Sequence, residues 1–238
     1  MFKTRSLKLE RIDTGDYTPA EYDRFLADIR LVNRFAGDTR ALRRTLLREI
    51  KRLRLDEFSI LDVGAGSGEL LRTIANFAND SGRTARLTGL ELNARSARSI
   101  AEESADFAEI SAVRADAFSL PFADDSFDYA ISSLFTHHLT NPAIISVIRE
   151  MSRVARRGVF IIDLHRHPLA FAAYKVFCAA FRISRLVRED GSLSILRSFK
   201  PAELTDLAEL AGVGEFQVIR SMPFRLVLHL NLRAQRQA

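Results

Sequence analysis

From about residue 58 onward, short apolar runs alternate with longer stretches of helical period. The first run, Ile60-Leu61-Asp62-Val63, is followed at once by Gly64, Gly66 and Gly68. Further strands are predicted at 86–91, 110–115, 127–132 and 159–163, and helices at 68–79, 94–104 and 141–156. Gly158 is expected to break the last of these helices. Beyond the fifth strand, 168–188 is strongly apolar and is punctuated by Lys175, Arg182, Arg185 and Arg188. It reads as one inserted helix, either the roof of a pocket or a core element. Asp190-Gly191 is a turn signal. Lys200-Pro201-Ala202-Glu203 opens a helix that ends near Gly212, and 215–220 with 224–230 form a closing strand pair. The tail 233–238 is expected to fray. This alternation predicts an α/β fold with a doubly wound sheet.

Ahead of the sheet, 1–57 reads as a helical extension or lid, with 58–238 as the core that carries the insertion at about 168–188. Asp13-Thr14-Gly15-Asp16 is a turn signal. Thr18 caps a helix with Pro19 at its first position and Glu21 at its third, and Gly37 stops it. Tyr17 and Tyr22 at its entry fit a lid or plain packing. Over 40–54, Leu42, Leu46, Leu47, Ile50 and Leu53 fall at helical spacing with basic residues between them. This predicts one helix whose basic face is solvated, or meets an anionic membrane surface or nucleic acid. No aromatics interleave with these arginines, which speaks against single-stranded nucleic acid.

Composition narrows the class. The 238 residues are 47% hydrophobic and 27% charged, with a net charge of +5. No run of 18 uncharged apolar residues exists, so no spanning helix is expected. The first residues lack an apolar h-region, so no secretory signal is expected. The single Cys178 excludes an internal disulfide, fits a reducing cytoplasm and reads as a packed residue.

The candidate chemistry centres on the glycine turn. Glycines let the backbone turn tightly and a ligand come close. The unpaired N–H groups that open the next helix suit a nucleotide-like ligand. The dinucleotide fingerprint would place its last glycine where Glu69 stands, and that acid would face a pyrophosphate. The Asp62-x-Gly64-x-Gly66-x-Gly68 spacing instead resembles motif I of the class I S-adenosylmethionine-dependent methyltransferases. Glu91 ends the second strand, where a carboxylate can accept from both ribose hydroxyls. Asp116-Ala117 and the run 120–128 look like further segments of the same family.

This resemblance covers 58–165 and implies a Rossmann-like, seven-stranded, mostly parallel sheet with an antiparallel last strand. It implies S-adenosyl-L-methionine as cofactor, leaving as S-adenosyl-L-homocysteine. It also implies a cofactor site of Asp62, Gly64, Ala65, Gly66, Gly68, Glu91, Leu92, Asp116, Ala117 and Ser133.

Histidines cluster at two strand ends, where ligands sit in open α/β sheets. His137 and His138 follow the fourth strand, and His165, Arg166 and His167 follow the fifth. His137 or His138, with His165 as rival, is the candidate general base for an acceptor of phenolic acidity. Arg166 is a candidate for an anionic substrate group, or a loop residue bonded to backbone. No metal-ligand spacing stands out, so no metal is expected. The Asn/Asp-Pro-Pro-aromatic motif of nucleobase-amine methyltransferases is absent. The segments 13–33, 163–168 and 190–199 look similar to methyltransferases encoded beside type III polyketide synthases, which implies a ring-bearing product of secondary metabolism as acceptor. The expected function is methyl transfer to an oxygen or carbon of a small aromatic or lipid-like molecule in the cytoplasm. An RNA methyltransferase, favoured by the basic helix, and a nicotinamide-dependent oxidoreductase of similar fold are the alternatives. Glu69 and the lack of a Tyr-x-x-x-Lys pair speak against the latter. Oligomeric state does not follow from the sequence.

Overall fold

Every residue of β1 (Glu57–Val63) after the first is buried, as in a strand covered on both faces. The structure is a computed structural model and describes residues 2–232. Ser59 and Asp62 are buried among the apolar residues of β1. Ser59 is satisfied by the carboxylate of Asp128 on β4 (Phe127–Ser133), which accepts from its backbone N–H at 3.0 Å.

β1 pairs in parallel with β2 (Thr84–Glu91) on one side and β4 on the other. β3 (Ile110–Arg114) flanks β2, and β5 (Ala155–Leu164) flanks β4. β6 (Glu215–Ser221) and β7 (Arg225–Asn231) complete a sheet of order β3-β2-β1-β4-β5-β7-β6, with β7 antiparallel to both neighbours. This is the seven-stranded, mostly parallel sheet expected from the sequence. The order reverses between β1 and β4, so the carboxyl ends of these strands open a crevice.

Helices cover both faces. On one, α1 (Arg11–Thr14) and α2 (Pro19–Ala36) lead into α3 (Asp38–Arg44) and α4 (Leu46–Arg52). The latter two share a core with α5 (Glu69–Asp80) and with Ile100 of α6 (Ala94–Glu103). On the other, α7 (Asn141–Val154) packs with α10 (Pro201–Ala211). Between β5 and α10 come α8 (Pro168–Ala180) and α9 (Arg185–Arg197). No helix of the described residues is long and apolar enough to cross a membrane.

Several local expectations are corrected. The basic stretch 40–54 is two helices, not one. Thr45 breaks it, with its hydroxyl bonded back to the Ala41 carbonyl at 2.7 Å. Leu42, Leu46 and Ile50 are buried, while Arg43, Arg44 and Arg48 are exposed. The signal at Asp13–Asp16 closes a short helix, α1, whose C-cap is Gly15. The insertion 168–188 is also two helices, parted near Arg182, whose φ is +52°.

Asp190-Gly191 is no turn but lies inside α9. A Cβ on Gly191 would stand 2.1 Å from the Tyr174 hydroxyl, so this glycine serves the close approach of α8 rather than a bend. Gly158 lies within β5, which starts at Ala155. The tail 233–238 lies outside the described residues. Cys178 is buried, and burial pushes its thiol up.

Candidate active site

The polypeptide leaves β1 through a turn whose three glycines all have positive φ: +74° at Gly64, +57° at Gly66 and +80° at Gly68. Those angles favour glycine over any residue with a Cβ. A Cβ on Gly64 would also lie 2.8 Å from the Phe135 ring, whereas one on Gly66 would project into open space. The Gly66 N–H donates to Glu91 Oε2 at 3.1 Å, so the acid at the end of β2 is tied to the turn. Glu91 also accepts from the N–H groups of Leu92 and Asn93.

A cavity of about 530 Å³ opens over this turn. Asp62, Gly64, Ala65, Gly66 and Ser133 line its sheet end, and His137 and His138 line its side. Gly68, at the N-cap of α5, lies outside that lining, as do Glu91, Leu92, Asp116 and Ala117 along the ends of β2 and β3. Asp116 there accepts from the Phe118 N–H at 2.9 Å. The rest of the wall mixes polar residues, among them Glu10, Asn33, Asp38, Glu69 and Arg225, with apolar ones from the segments on either side of the core motif. α2 supplies Phe25, Ile29 and Val32, and α8 and α9 supply Ala170, Phe177 and Val187.

The two histidine clusters part company. His165 and His167 line a second pocket with Lys3, Lys200 and Arg220, so His165 does not share the cavity with the glycine turn. Burial and the neighbouring cations His167, Arg220, Arg166 and Lys200 lower its pKa. Arg166 is not presented to a substrate. It is 1% exposed, pairs with Glu203, and donates to the Ser198 carbonyl at 2.5 Å. It therefore staples the β5 end to the start of α10.

His137 has the setting of an oriented base. Its Nδ1 lies 2.7 Å from Asp163 Oδ1, at the end of β5. Asp163 also accepts from the Thr136 hydroxyl at 2.7 Å and the Leu164 N–H at 2.7 Å. Burial alone would raise the Asp163 carboxyl. The charge of His137 and these hydrogen bonds outweigh it and hold the group at about 2. A carboxylate fixed in that state orients the ring through Nδ1, which turns Nε2 to the opposite side. His138 is turned to Asp13, with Nδ1 3.1 Å from the carboxylate.

Glu10 completes the polar end, and no signal in the sequence around it marks it. Its Oε1 is 3.9 Å from His137 Nε2 and accepts from the Ser194 hydroxyl at 2.9 Å. Asp190 places it by accepting from the N–H groups of Arg11 and Ile12, each at 2.9 Å. Burial pushes the Glu10 carboxyl up to about 7. No metal-ligand spacing is visible along the chain. In the fold, however, Glu10, His137 and His138 each offer a ligand atom, all within 4.8 Å of one another.

A glycine turn after the first strand of an open sheet, with acids beyond it, defines a nucleotide-cofactor domain of Rossmann-like class. Residues 60–158 match the family model described as a methyltransferase domain. That segment of the chain is similar to a methyltransferase domain, which favours S-adenosylmethionine over a nicotinamide cofactor. The chain is 31% identical over 124 residues to a demethylmenaquinone methyltransferase of Bacillus licheniformis, covering 51% of each chain. It is 35% identical over 104 residues to methyltransferase phqN of Penicillium fellutanum, covering 42% of this chain and 29% of that one. The chain thus spans about half the length, or less, of the curated relatives it matches. Among solved structures it resembles the plantazolicin methyltransferase BamL in complex with a triazolic desmethylPZN analog and SAH. That match has a TM-score of 0.69 and 15% identity, and covers 90% of this chain and 91% of that one.

The residues present fit the domain's cofactor. Asp62 Oδ1 is buried without a hydrogen-bond partner among the described residues, at the cavity's sheet end. Burial, then the charge of Glu91, pushes this carboxyl up to about 7. An orphaned buried acceptor beside the glycine turn suits the amino group at the amino-acid end of S-adenosylmethionine.

Proposed function

We propose that this protein transfers a methyl group from S-adenosylmethionine to an oxygen, or a carbon, of a small ring-bearing acceptor with an apolar body. One observation carries the proposal: a single cavity joins the glycine turn to an apolar enclosure whose polar end holds the buried His137–Asp163 pair. Bound at the turn, the cofactor supplies an electrophilic methyl group. Asp62, Gly64, Ala65, Gly66 and Ser133 would hold its amino-acid end. Glu91 and Leu92 would lie at the ribose, and Asp116 and the Ala117 N–H at the adenine. The walls from α2, α8 and α9 exclude water and position the acceptor. Nε2 of His137 takes the proton that the acceptor loses, and Asp163 holds the ring for it.

The apolar lining and the name of the first relative, a quinone methyltransferase, support a lipid-like or polyketide-like ring compound. The test is calorimetric titration of the protein with S-adenosylmethionine and with NADH, followed by transfer of labelled methyl to alkylated phenols. Binding of the sulfonium compound alone, with label passing to the phenol, is expected. Binding of NADH alone would overturn the proposal.

A further inference from the structure

We propose that Glu10, His137 and His138 form a site for one divalent transition-metal cation at the polar end of the acceptor cavity. The three come from distant parts of the chain, yet one ligand atom from each lies within 4.8 Å of the other two. Coordination bonds of about 2.0–2.2 Å require these atoms to draw together by roughly an ångström, a shift within reach of side-chain rotation.

The surroundings are those of a built site. Each imidazole rests its Nδ1 on a carboxylate, His137 on Asp163 at 2.7 Å and His138 on Asp13 at 3.1 Å. Ligating histidines are oriented in this way, with the second nitrogen left for the metal. Glu10 and His137 are each only 3% exposed. The Glu10 carboxylate has a hydroxyl, from Ser194, as its close partner. Arg197 stands 3.8 Å from Glu10 and 3.6 Å from Asp13. Its N–H groups donate to the carbonyls of His137, Lys8 and His138, so it fixes the backbone of the histidine pair. Two imidazoles and one carboxylate suit zinc, iron(II), cobalt or nickel better than magnesium or calcium, which prefer all-oxygen sets.

Three protein ligands leave coordination positions open toward the cavity. On the methyl-transfer proposal, on which this one clause rests, an acceptor hydroxyl would fill one of them as its oxyanion, its proton passing to water. Nε2 of His137 would then be a ligand. In the metal-free protein the same atom is the proton acceptor.

The test uses full-length, chelator-treated protein titrated calorimetrically with Zn²⁺, and with Co²⁺ followed by visible absorption. One ion per chain is expected, with a Kd below about 10 μM. Glu10→Gln and His138→Ala should each weaken binding by about 100-fold or more. Asp163→Asn, which keeps all three ligands, should weaken it by about 10–100-fold. His165→Ala, in the other pocket, should leave it unchanged. S-adenosylmethionine titration of every variant reports whether it is folded. Absence of stoichiometric metal binding in protein that binds S-adenosylmethionine would overturn the metal site and leave the methyl-transfer proposal standing. So would Zn²⁺ binding that survives both Glu10→Gln and His138→Ala. Metal binding without S-adenosylmethionine binding would overturn the methyl-transfer proposal and leave the site.

Discussion

The two ends of the cavity are built by opposite strategies. At the sheet end, consecutive residues of one strand and one turn do most of the work: Asp62, Gly64, Ala65 and Gly66 stand within five positions. At the other end, Glu10, His137, Asp163 and Asp190 come from four separate segments, and only the tertiary fold brings them together. A turn motif keeps its geometry by local backbone angles. A dispersed cluster keeps it by packing and by cross-chain hydrogen bonds. The first should therefore fail locally when altered, and the second should fail as a unit.

The largest effect expected falls on the dispersed end. His137→Ala should lower turnover by about 10²–10⁴-fold, with the S-adenosylmethionine Kd changed little. Asp163→Asn should lower turnover in the same sense, because the ring loses the carboxylate that fixes its tautomer. Steady-state kinetics beside calorimetry separate the two quantities. A matching loss of cofactor affinity would mean that the ends are not independent.

At the sheet end the next effect is on stability. Asp62 carries a carboxyl raised to about 7 by burial and by Glu91. The folded state thus holds the proton more tightly than the unfolded state does. Stability is then full below the ordinary aspartate value near 4 and falls as pH rises toward 7. Cofactor-free protein should lose roughly 2–4 kcal/mol of stability from this one group between pH 4 and 8. Asp62→Asn should flatten that part of the profile. Urea denaturation at several pH values checks it, and parallel profiles for the two proteins would refute the assignment.

This contrast also explains what the sequence made legible. The alternation of strands and helices, the glycine turn and the acids at 62 and 91 follow from local pattern, because strands and tight turns leave short-range signatures; Asp116 comes only with the family resemblance. His137 and His138 stood out by sitting at a strand end. Glu10 did not, because its neighbours Lys8, Leu9 and Arg11 look like any exposed charged segment. Its burial depends on Asp190 and Ser194, about 180 residues away. Gly191 misled for a related reason. Asp-Gly is a turn signal by local preference, but here the glycine is set by the Tyr174 ring on another helix. His165 and Arg166 shared the favourable strand-end position of His137, yet the β5 end turns them toward α10 and away from the cavity.

The Gly191 contact offers a test of the roof. A methyl at this position would meet the Tyr174 hydroxyl, which already donates to the Val187 carbonyl at 2.6 Å. Gly191→Ala should destabilise the protein by about 1–3 kcal/mol, the usual range for overpacking. Thermal unfolding reads this directly, and an unchanged Tm would mean that α8 and α9 are not in the contact described.

The smallest effect concerns the place where the two regions touch outside the cavity. Arg95, in the first turn of α6, lays its guanidinium 4.6 Å from the Tyr22 ring centroid on α2. Tyr22 in turn stacks on Tyr17 and on Phe25, a cavity wall residue. α6 follows directly on the β2 end that carries Glu91, so this contact links α2 to that end of the sheet. An exposed cation–π contact is worth about 0.5–1 kcal/mol, which corresponds to a change of about 2–5-fold in a binding constant. Tyr22→Leu and Arg95→Gln should each weaken S-adenosylmethionine binding by that factor. If the pair acts as a latch, the double variant should bind no more weakly than either single one, because each change already breaks the same contact. Losses that multiply in the double variant would show two unrelated contributions and refute the latch.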